Sequence, residues 1–372
     1  RIVTRGDVTT IRQGSQRVVI DWASFDIDPN DVVRFLQPGS DAVALNRILS
    51  GMPTHIRGKL TANGNVWLVN PSGVMFHAGS VADVGGLIAT TAGIDPEAFM
   101  AGSGRFDRPG EPGAAVVNEG TITFAEAGLV GLVAPRAENR GTIRGKLGRI
   151  VIAGQESLSV DVSGEGLFEI DLRDAAKVEG ARAGNSGVIL AEGGTVIISA
   201  AAARDAVEAA VSVSGVVVAS SARVEGGTIV LDGGAGGVEV SGRLEAGSAV
   251  AGGGRIDATG GRVTLTGTAR LDVSGATGGG RVRLGGDVAA IKAGRAPELA
   301  EARRTEIEAG ARIRADATDK GRGGEVLVWS SEATLATGWV SARGGRAGGD
   351  GGFVELSSRM GLGFAGQADL SA

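Results

Sequence analysis

The chain has no cysteine and no tyrosine among its 372 residues, only two histidines, and 3% aromatic side chains. Each scarcity excludes something. Without cysteine there is no disulfide framework, no thiolate nucleophile and no thiolate metal site. His55 and His77 are too few for a structural zinc centre and read as ordinary turn or surface residues. Nucleophilic catalysis of the Ser–His kind would have to use one of these two imidazoles. A compact core of this size fills irregular space with Phe, Tyr and Trp, so their rarity points to a narrow, regular interior. No run of Lys or Arg forms a basic patch and the net charge is -5, so no nucleic-acid partner is expected. No apolar stretch is long enough to span a bilayer. The first twenty residues carry Arg1, Arg5, Asp7, Arg12 and Arg17 where a signal peptide would have its apolar region.

Glycine and small aliphatic residues are abundant instead. The 65 glycines show no three-residue period, which rules out a collagen-like helix, and 42% hydrophobic residues rule out disorder. From about residue 190 a unit recurs: two glycines, an alternating strand, then a polar or glycine turn. Instances are Gly193-Gly194-Thr195-Val196, Gly226-Gly227-Thr228-Ile229, Gly236-Gly237-Val238, Gly260-Gly261-Arg262-Val263, Gly279-Gly280-Arg281-Val282, Gly323-Gly324-Glu325-Val326 and Gly351-Gly352-Phe353-Val354. Within them Val238 and Val240 flank Glu239, and Val282 and Leu284 flank Arg283, so apolar residues face one way and charges the other. Short strands repeated without strict length, at roughly 20–25 residues per coil, predict a parallel β-helix, in which no coil buries its face alone.

Three segments interrupt the pattern. Asp95–Ala101 has an Asp cap and a first-turn Pro and predicts a short helix. Ala200–Val211 is read as strand. Pro297–Glu308 has helical charge spacing and predicts a helix protruding from the coil wall. All three read as surface excursions.

Little chemistry emerges. Asp26-x-Asp28-x-Asn30 starts like a calcium loop, but Asp31 and Gln37 stand where Gly and Glu are needed. β-Helices also carry polysaccharide lyases and glycosidases, which need clustered carboxylates. Asp161, Glu169, Asp171 and Asp174 are the densest acidic group, and Glu169-Ile170-Asp171 predicts two acids projecting from one strand, read as a solvated outer face. No catalytic, cofactor or metal site is expected, and the chain is read as not an enzyme.

One stretch is more specific. Asn63–Thr91 joins an alternating strand through the tight turn Asn70-Pro71-Ser72-Gly73 to a second strand ending in paired glycines. With its flanks it resembles the amino-terminal secretion domain of the filamentous haemagglutinin family, the large exoproteins of Gram-negative two-partner secretion. Arg17–Trp22 followed by Phe25 is similar to the family's early strand and Trp-x-x-Phe segment, and Val43–Ile48 to its next landmark. Val117–Ile122 and Asn139–Ile143 look like two successive coils, and Val340–Leu356 is similar to the family's shaft. The family's upstream Asn-Pro-Asn-Leu motif is not visible, and Ser72 stands where the second Asn of an Asn-Pro-Asn-Gly turn is usual.

The resemblance implies an all-β fold, a right-handed single-stranded parallel β-helix with extra-helical strands and short helices. It implies a two-partner secretion domain over residues 1–175 and a β-helical shaft over 176–372. The implied function is export of an adhesin-like exoprotein across the outer membrane, the amino-terminal β-helix serving as signal and folding nucleus. The implied partner is an outer-membrane transporter, read through its periplasmic domains at Asn70, Pro71, Ser72 and Gly73. A host-cell, glycan or neighbouring-cell receptor is a further expected partner, and the location is the medium or cell surface after passage through the periplasm. The absence of cysteine suits such a passage, since no disulfide can trap the chain there. The alternatives are a β-helical lyase or glycosidase, or the front end of a contact-dependent toxin. The first residue is Arg, read as processed or trimmed, and the repeat runs to the end, so the sequence reads as part of a longer protein.

Overall fold

The computed structural model describes residues 1–161, 169–171, 178–202, 209–223, 226–295 and 297–372, with the backbone alone for Asp161, Glu169–Asp171, Ala289 and Ile291. The chain divides into two compact units, Arg1–Ile189 and Leu190–Ala372.

In the first unit, strands fall on three faces, each a parallel sheet. One face stacks Val8–Arg12, Val32–Leu36, Lys59–Ala62, Val81–Val84, Thr121–Phe124 and Thr142–Lys146. A second stacks Arg17–Trp22, Val43–Ile48, Asn65–Val69, Gly86–Thr90, Leu129–Ala134 and Arg149–Gly154. The third stacks Thr54–Ile56, Val74–Phe76, Ala115–Asn118, Arg136–Asn139 and Arg182–Asn185. The chain visits the faces in rotation, so each strand pairs with the strand one coil before and one coil after. That is a parallel β-helix. Ile2–Arg5 pairs antiparallel with Val8–Arg12 and closes the first edge.

The alternating residues form the core: Leu60, Ala82, Ile122 and Ile143 stack inward from the first face, all fully buried. The second face is buried on its outer side as well. Its outward column runs Leu45, Trp67, Ile88, Gly131, Val151, and its four side-chain-bearing members with more than a Cβ hydrogen are at most 2% exposed. This is why its strands read as nearly unbroken apolar runs in place of strict alternation. The cover is the excursion after Thr90. It contains the predicted helix, Pro96–Met100, capped by Asp95 through the amides of Glu97 and Ala98, followed by the strand Arg105–Arg108. Phe99 and Phe106 both reach Trp67, each at 5.5 Å between ring centroids. Burying each such aromatic contributes roughly 1.5–3 kcal/mol.

Gly93–Ile94, Arg105–Arg108, Leu158–Asp161 and Glu169–Asp171 form a separate antiparallel sheet. The acidic strand Glu169–Asp171 therefore lies at an edge of this added sheet and not on a coil wall, because its backbone pairs antiparallel with Leu158–Asp161. Its side chains, and Asp174, lie outside the described residues.

The second unit repeats the three faces. They begin at Val216–Val218, Thr195–Ala200 and Val211–Val213, and end at Gln367–Asp369, Phe353–Leu356 and Gly361–Phe364. The paired glycines Gly226-Gly227, Gly279-Gly280, Gly323-Gly324 and Gly351-Gly352 sit where the second face begins, while Gly260-Gly261 opens the third-face strand Arg262–Leu265. A Cβ on Gly254 would strike the carbonyl oxygen of Gly227, one on Gly280 that of Gly254, and one on Gly324 that of Gly280. Only glycine lets successive coils approach at this corner.

The expected helix at Pro297–Glu308 is not there. The short helix lies earlier, at Val288–Lys292, and the described residues from 297 run without regular structure into the third-face strand Arg304–Ile307. The acids that gave the segment its helical spacing bond outward to other elements. Glu298 meets Arg283, and Glu301 meets Trp329 and Arg359. Of Ala200–Val211, the strands Thr195–Ala200 and Val211–Val213 reach its two ends, while residues 203–208 lie outside the described residues.

Candidate functional site

The turn singled out by sequence closes the corner between the second and third faces. Asn70 is fully buried, and every polar atom of its amide is used. Its Nδ2 donates to the Met52 carbonyl and to Thr54 Oγ1, each at 2.9 Å, one coil earlier. Its Oδ1 accepts from the Ser72 amide at 2.9 Å, an Asx turn that sets the bend. Its backbone amide donates to Thr90 one coil later, at 3.0 Å. Gly73 accepts from the Thr54 amide and has φ +118°, a region reserved for glycine, and a Cβ there would stand 2.7 Å from the Ala115 carbonyl. Pro71 is exposed, and its carbonyl accepts from the Glu111 amide at 2.9 Å; Ser72 Oγ donates to the Glu111 carboxylate at 2.9 Å. The four residues thus tie three coils and the excursion together.

The Trp-x-x-Phe landmark packs as one piece: Trp22 and Phe25 meet edge-on at 5.0 Å, and Trp22 Nε1 donates to Asn46 Oδ1 at 2.9 Å. Asn46, fully buried, also donates to the carbonyls of Ala44 and Trp67.

A second set of buried amides was only half visible in the sequence. Asn118 and Asn139 begin the two coils recognised there, and Asn185-Ser186-Gly187-Val188-Ile189 is a third of the same form. The three side chains, none more than 1% exposed, make a ladder. Asn118 Nδ2 donates to Asn139 Oδ1 and Asn139 Nδ2 to Asn185 Oδ1, each at 2.7 Å. The Asn-x-Gly spacing, repeated three times, was the signal.

His55 and His77 are brought together. His55 Nδ1 and His77 Nε2 are 2.9 Å apart, with ring centroids 5.1 Å apart. Burial, then the charges of Arg57 and His55, hold the His77 imidazole below its ordinary range, with Glu119 opposing. Sequence reasoning missed this pair, although the separation of the two histidines is close to one coil.

Arg283 points outward from its strand, as its alternation requires, yet is only 3% exposed because the excursion after Leu284 covers it. Its guanidinium forks onto Asp257 at 2.8 and 2.9 Å and reaches Asp287 and Glu298. The first of these bonds, to Asp257, outweighs burial and raises its pKa, keeping it charged throughout. This is a clasp between coil and excursion. Among the described residues no three metal-ligating side chains cluster, and no helix is long and apolar enough to cross a membrane.

Comparison with known proteins agrees with this architecture. A crystal structure of the HMW1 secretion domain from Haemophilus influenzae superposes with a TM-score of 0.87 at 28% identity, covering 100% of this chain and 97% of that one. Two heme/hemopexin-binding proteins of the same species are similar over shorter stretches. One is 46% identical over 105 residues, 28% of this chain. The other, from strain Rd, is 42% identical over 123 residues, 32% of this chain. The chain spans 11% and 14% of the length of these relatives. A sequence model of the TPS secretion domain matches residues 1–246. With two-thirds of its length so matched and its coils laid out as in a solved secretion domain, the chain belongs to the TPS secretion domain family, and is the export module of an exoprotein that a partner transporter carries across the outer membrane.

Proposed function

We propose that Asn70-Pro71-Ser72-Gly73 is read by the transporter in the unfolded chain, and that folding then hides its Asn70 side chain. The observation that carries this is the complete use of the Asn70 amide. In the folded coil its donors and acceptor are all bonded and shielded, leaving none of that side chain for a partner to recognise. Before folding, the same turn is a solvated Asx-Pro element with a strong local preference for its bend. Closure of its bonds to Met52, Thr54 and Thr90 removes the segment from the transporter and seeds coil stacking outside the cell. Each later coil adds to an already ordered edge, so folding opposes return of the chain without ATP.

Residues 1–175 act as the part the transporter engages, and 176–372 as shaft. The complete protein acts as an adhesin-type surface protein and not as an enzyme, with a host-cell, glycan or neighbouring-cell receptor. A second reading, capture of haem or hemopexin by the complete protein, is favoured by the names of the two relatives.

The test is release into the medium from cells with and without the cognate transporter. It uses the wild-type chain, Asn70→Ala, and Pro71→Ala/Ser72→Ala, with the stability of each purified chain measured in parallel. Release must depend on the transporter. The double variant leaves the buried amide in place, so on this reading it secretes poorly while folding with near-normal stability. A secretion defect that tracks stability alone across the variants would reduce the turn to a structural element.

A further inference from the structure

We propose that His55 and His77 form a two-point site for a divalent transition metal of the Cu²⁺ or Ni²⁺ kind on the wall of the secretion domain. The argument begins with register. Thr54–Ile56 pairs with Val74–Phe76, so His55 stands opposite Met75, and His77 stands at the corner two residues on. Neighbouring coils in this fold lie about 4.8 Å apart, which brings imidazoles from successive coils within reach. Both histidines are half-buried.

The separation of the nitrogens decides the class of ligand. Two metal–nitrogen bonds of about 2.0–2.1 Å set at a right angle place their nitrogens about 2.9 Å apart; at a tetrahedral angle they stand about 3.3–3.4 Å apart. The observed 2.9 Å is the length of the hydrogen bond between the rings, and it also spans the cis edge of a square-planar or octahedral ion. Imidazole nitrogen and tetragonal geometry select Cu²⁺ and Ni²⁺ over Mg²⁺ or Ca²⁺. The rings, now sharing one hydrogen bond, need only pivot so that both lone pairs converge, with water completing the shell.

The surroundings suit this. His77 lies in a corner column with Arg57 one coil before it and Glu119 one coil after, fixed by the pairing of Ile56, Phe76 and Asn118. Glu119 offsets Arg57 across His77 and is itself paired with the exposed Arg140 at 3.1 Å. Asp26 is occupied through its Oδ1 with the His55 backbone amide at 2.7 Å, which anchors that strand without competing for the ring.

The chain is favourable for testing, because these are its only histidines and it has no cysteine. The full chain is titrated with Cu²⁺, Ni²⁺, Zn²⁺ and Mg²⁺ at pH 7.5, following heat of binding, nitrogen couplings in the Cu²⁺ electron paramagnetic resonance spectrum, and the thermal midpoint. The variants are His55→Gln and His77→Gln, and the amino-terminal amine is common to all three chains. The expected result is one histidine-dependent equivalent in the order Cu²⁺, Ni²⁺, Zn²⁺, with two imidazole nitrogens in the spectrum. Either substitution weakens binding at least tenfold and abolishes the metal-induced rise in midpoint. Equal binding in either variant, a single imidazole in the spectrum, or no histidine-dependent binding by the wild-type chain overturns the proposal. Unchanged metal-free midpoints establish that the variants fold.

Discussion

Removing Asn139 from the buried ladder tests how the secretion domain holds its coils in register. In Asn139→Ala, Asn118 Nδ2 loses its 2.7 Å acceptor and keeps only a long contact of 3.4 Å to the Gly120 carbonyl. Asn185 Oδ1 loses its 2.7 Å donor at the same time. Both groups are sealed from water, at 0% and 1% exposure. A buried group left without its partner costs about 1–3 kcal/mol and a lost hydrogen bond about 0.5–1.5 kcal/mol, so orphaning Asn118 Nδ2 and removing one bond from Asn185 predict a loss of about 2–4 kcal/mol. Asn118 sits at the end of the ladder, and its removal orphans only Asn139 Oδ1. Asn118→Ala is therefore expected to cost about half as much. In the double variant neither Asn118 Nδ2 nor Asn139 Oδ1 remains to be orphaned, so the two effects fall short of additivity by at least about 2 kcal/mol. The assay is urea unfolding, reading the midpoint at constant slope so that a stability change is separated from a change in the denatured chain. The reasoning is refuted if Asn139→Ala costs under about 1 kcal/mol, if Asn118→Ala matches it, or if the double variant is simply additive.

Two further perturbations address the second unit. Arg283→Met leaves Asp257 buried with only Arg255, at 3.0 Å, to balance it, and is expected to cost about 3–5 kcal/mol, whereas Asp257→Val/Arg283→Leu together should recover most of that loss in a denaturant titration. At Asp316, burial alone would raise the carboxyl, but hydrogen bonds from the Arg343 side chain and amide bring it below its ordinary value. The unfolded chain therefore takes up this proton first as pH falls, and stability is lost progressively below about pH 5. Thermal midpoints between pH 3 and 7 should fall less steeply on the acid side in Asp316→Asn than in the wild-type chain.

The fold was legible because its strongest constraints are local. A glycine column that cannot accept a Cβ must appear as Gly-Gly at each recurrence of the corner, and inward alternation must appear as Val-x-Val or Ile-x-Leu. The capped helix at Pro96–Met100 was legible for the same reason: the Asp95 side chain bonds amides two and three residues on. What sequence did not yield depends on partners far along the chain. Arg283 alternates like any solvated charge, and nothing near it signals that residues beyond Leu284 fold back over it. Pro297–Glu308 carries charges at helical spacing, yet Glu298 and Glu301 gain more from Arg283, Trp329 and Arg359 than from one another, so tertiary bonds override a propensity worth only tenths of a kcal/mol.

The same division between local and distant contacts bears on how the chain is exported. The turn at Asn70 is specified locally, through the Asx bond to Ser72 and the positive φ of Gly73, so its bend is favoured before any coil exists. Its remaining bonds reach Met52, Thr54 and Thr90, which come into place only when the coils before and after it have formed. Gly73→Ala tests when the turn closes. It strains the turn and sets a Cβ 2.7 Å from the Ala115 carbonyl while leaving the Asn70 amide intact. A folding nucleus should then form more slowly: refolding of the purified chain should slow by about the same factor as its stability falls, since a nucleus contact is already made in the folding transition state. If unfolding accelerates and refolding is unchanged, the turn closes late, and stacking on the outside of the cell must begin elsewhere in the domain.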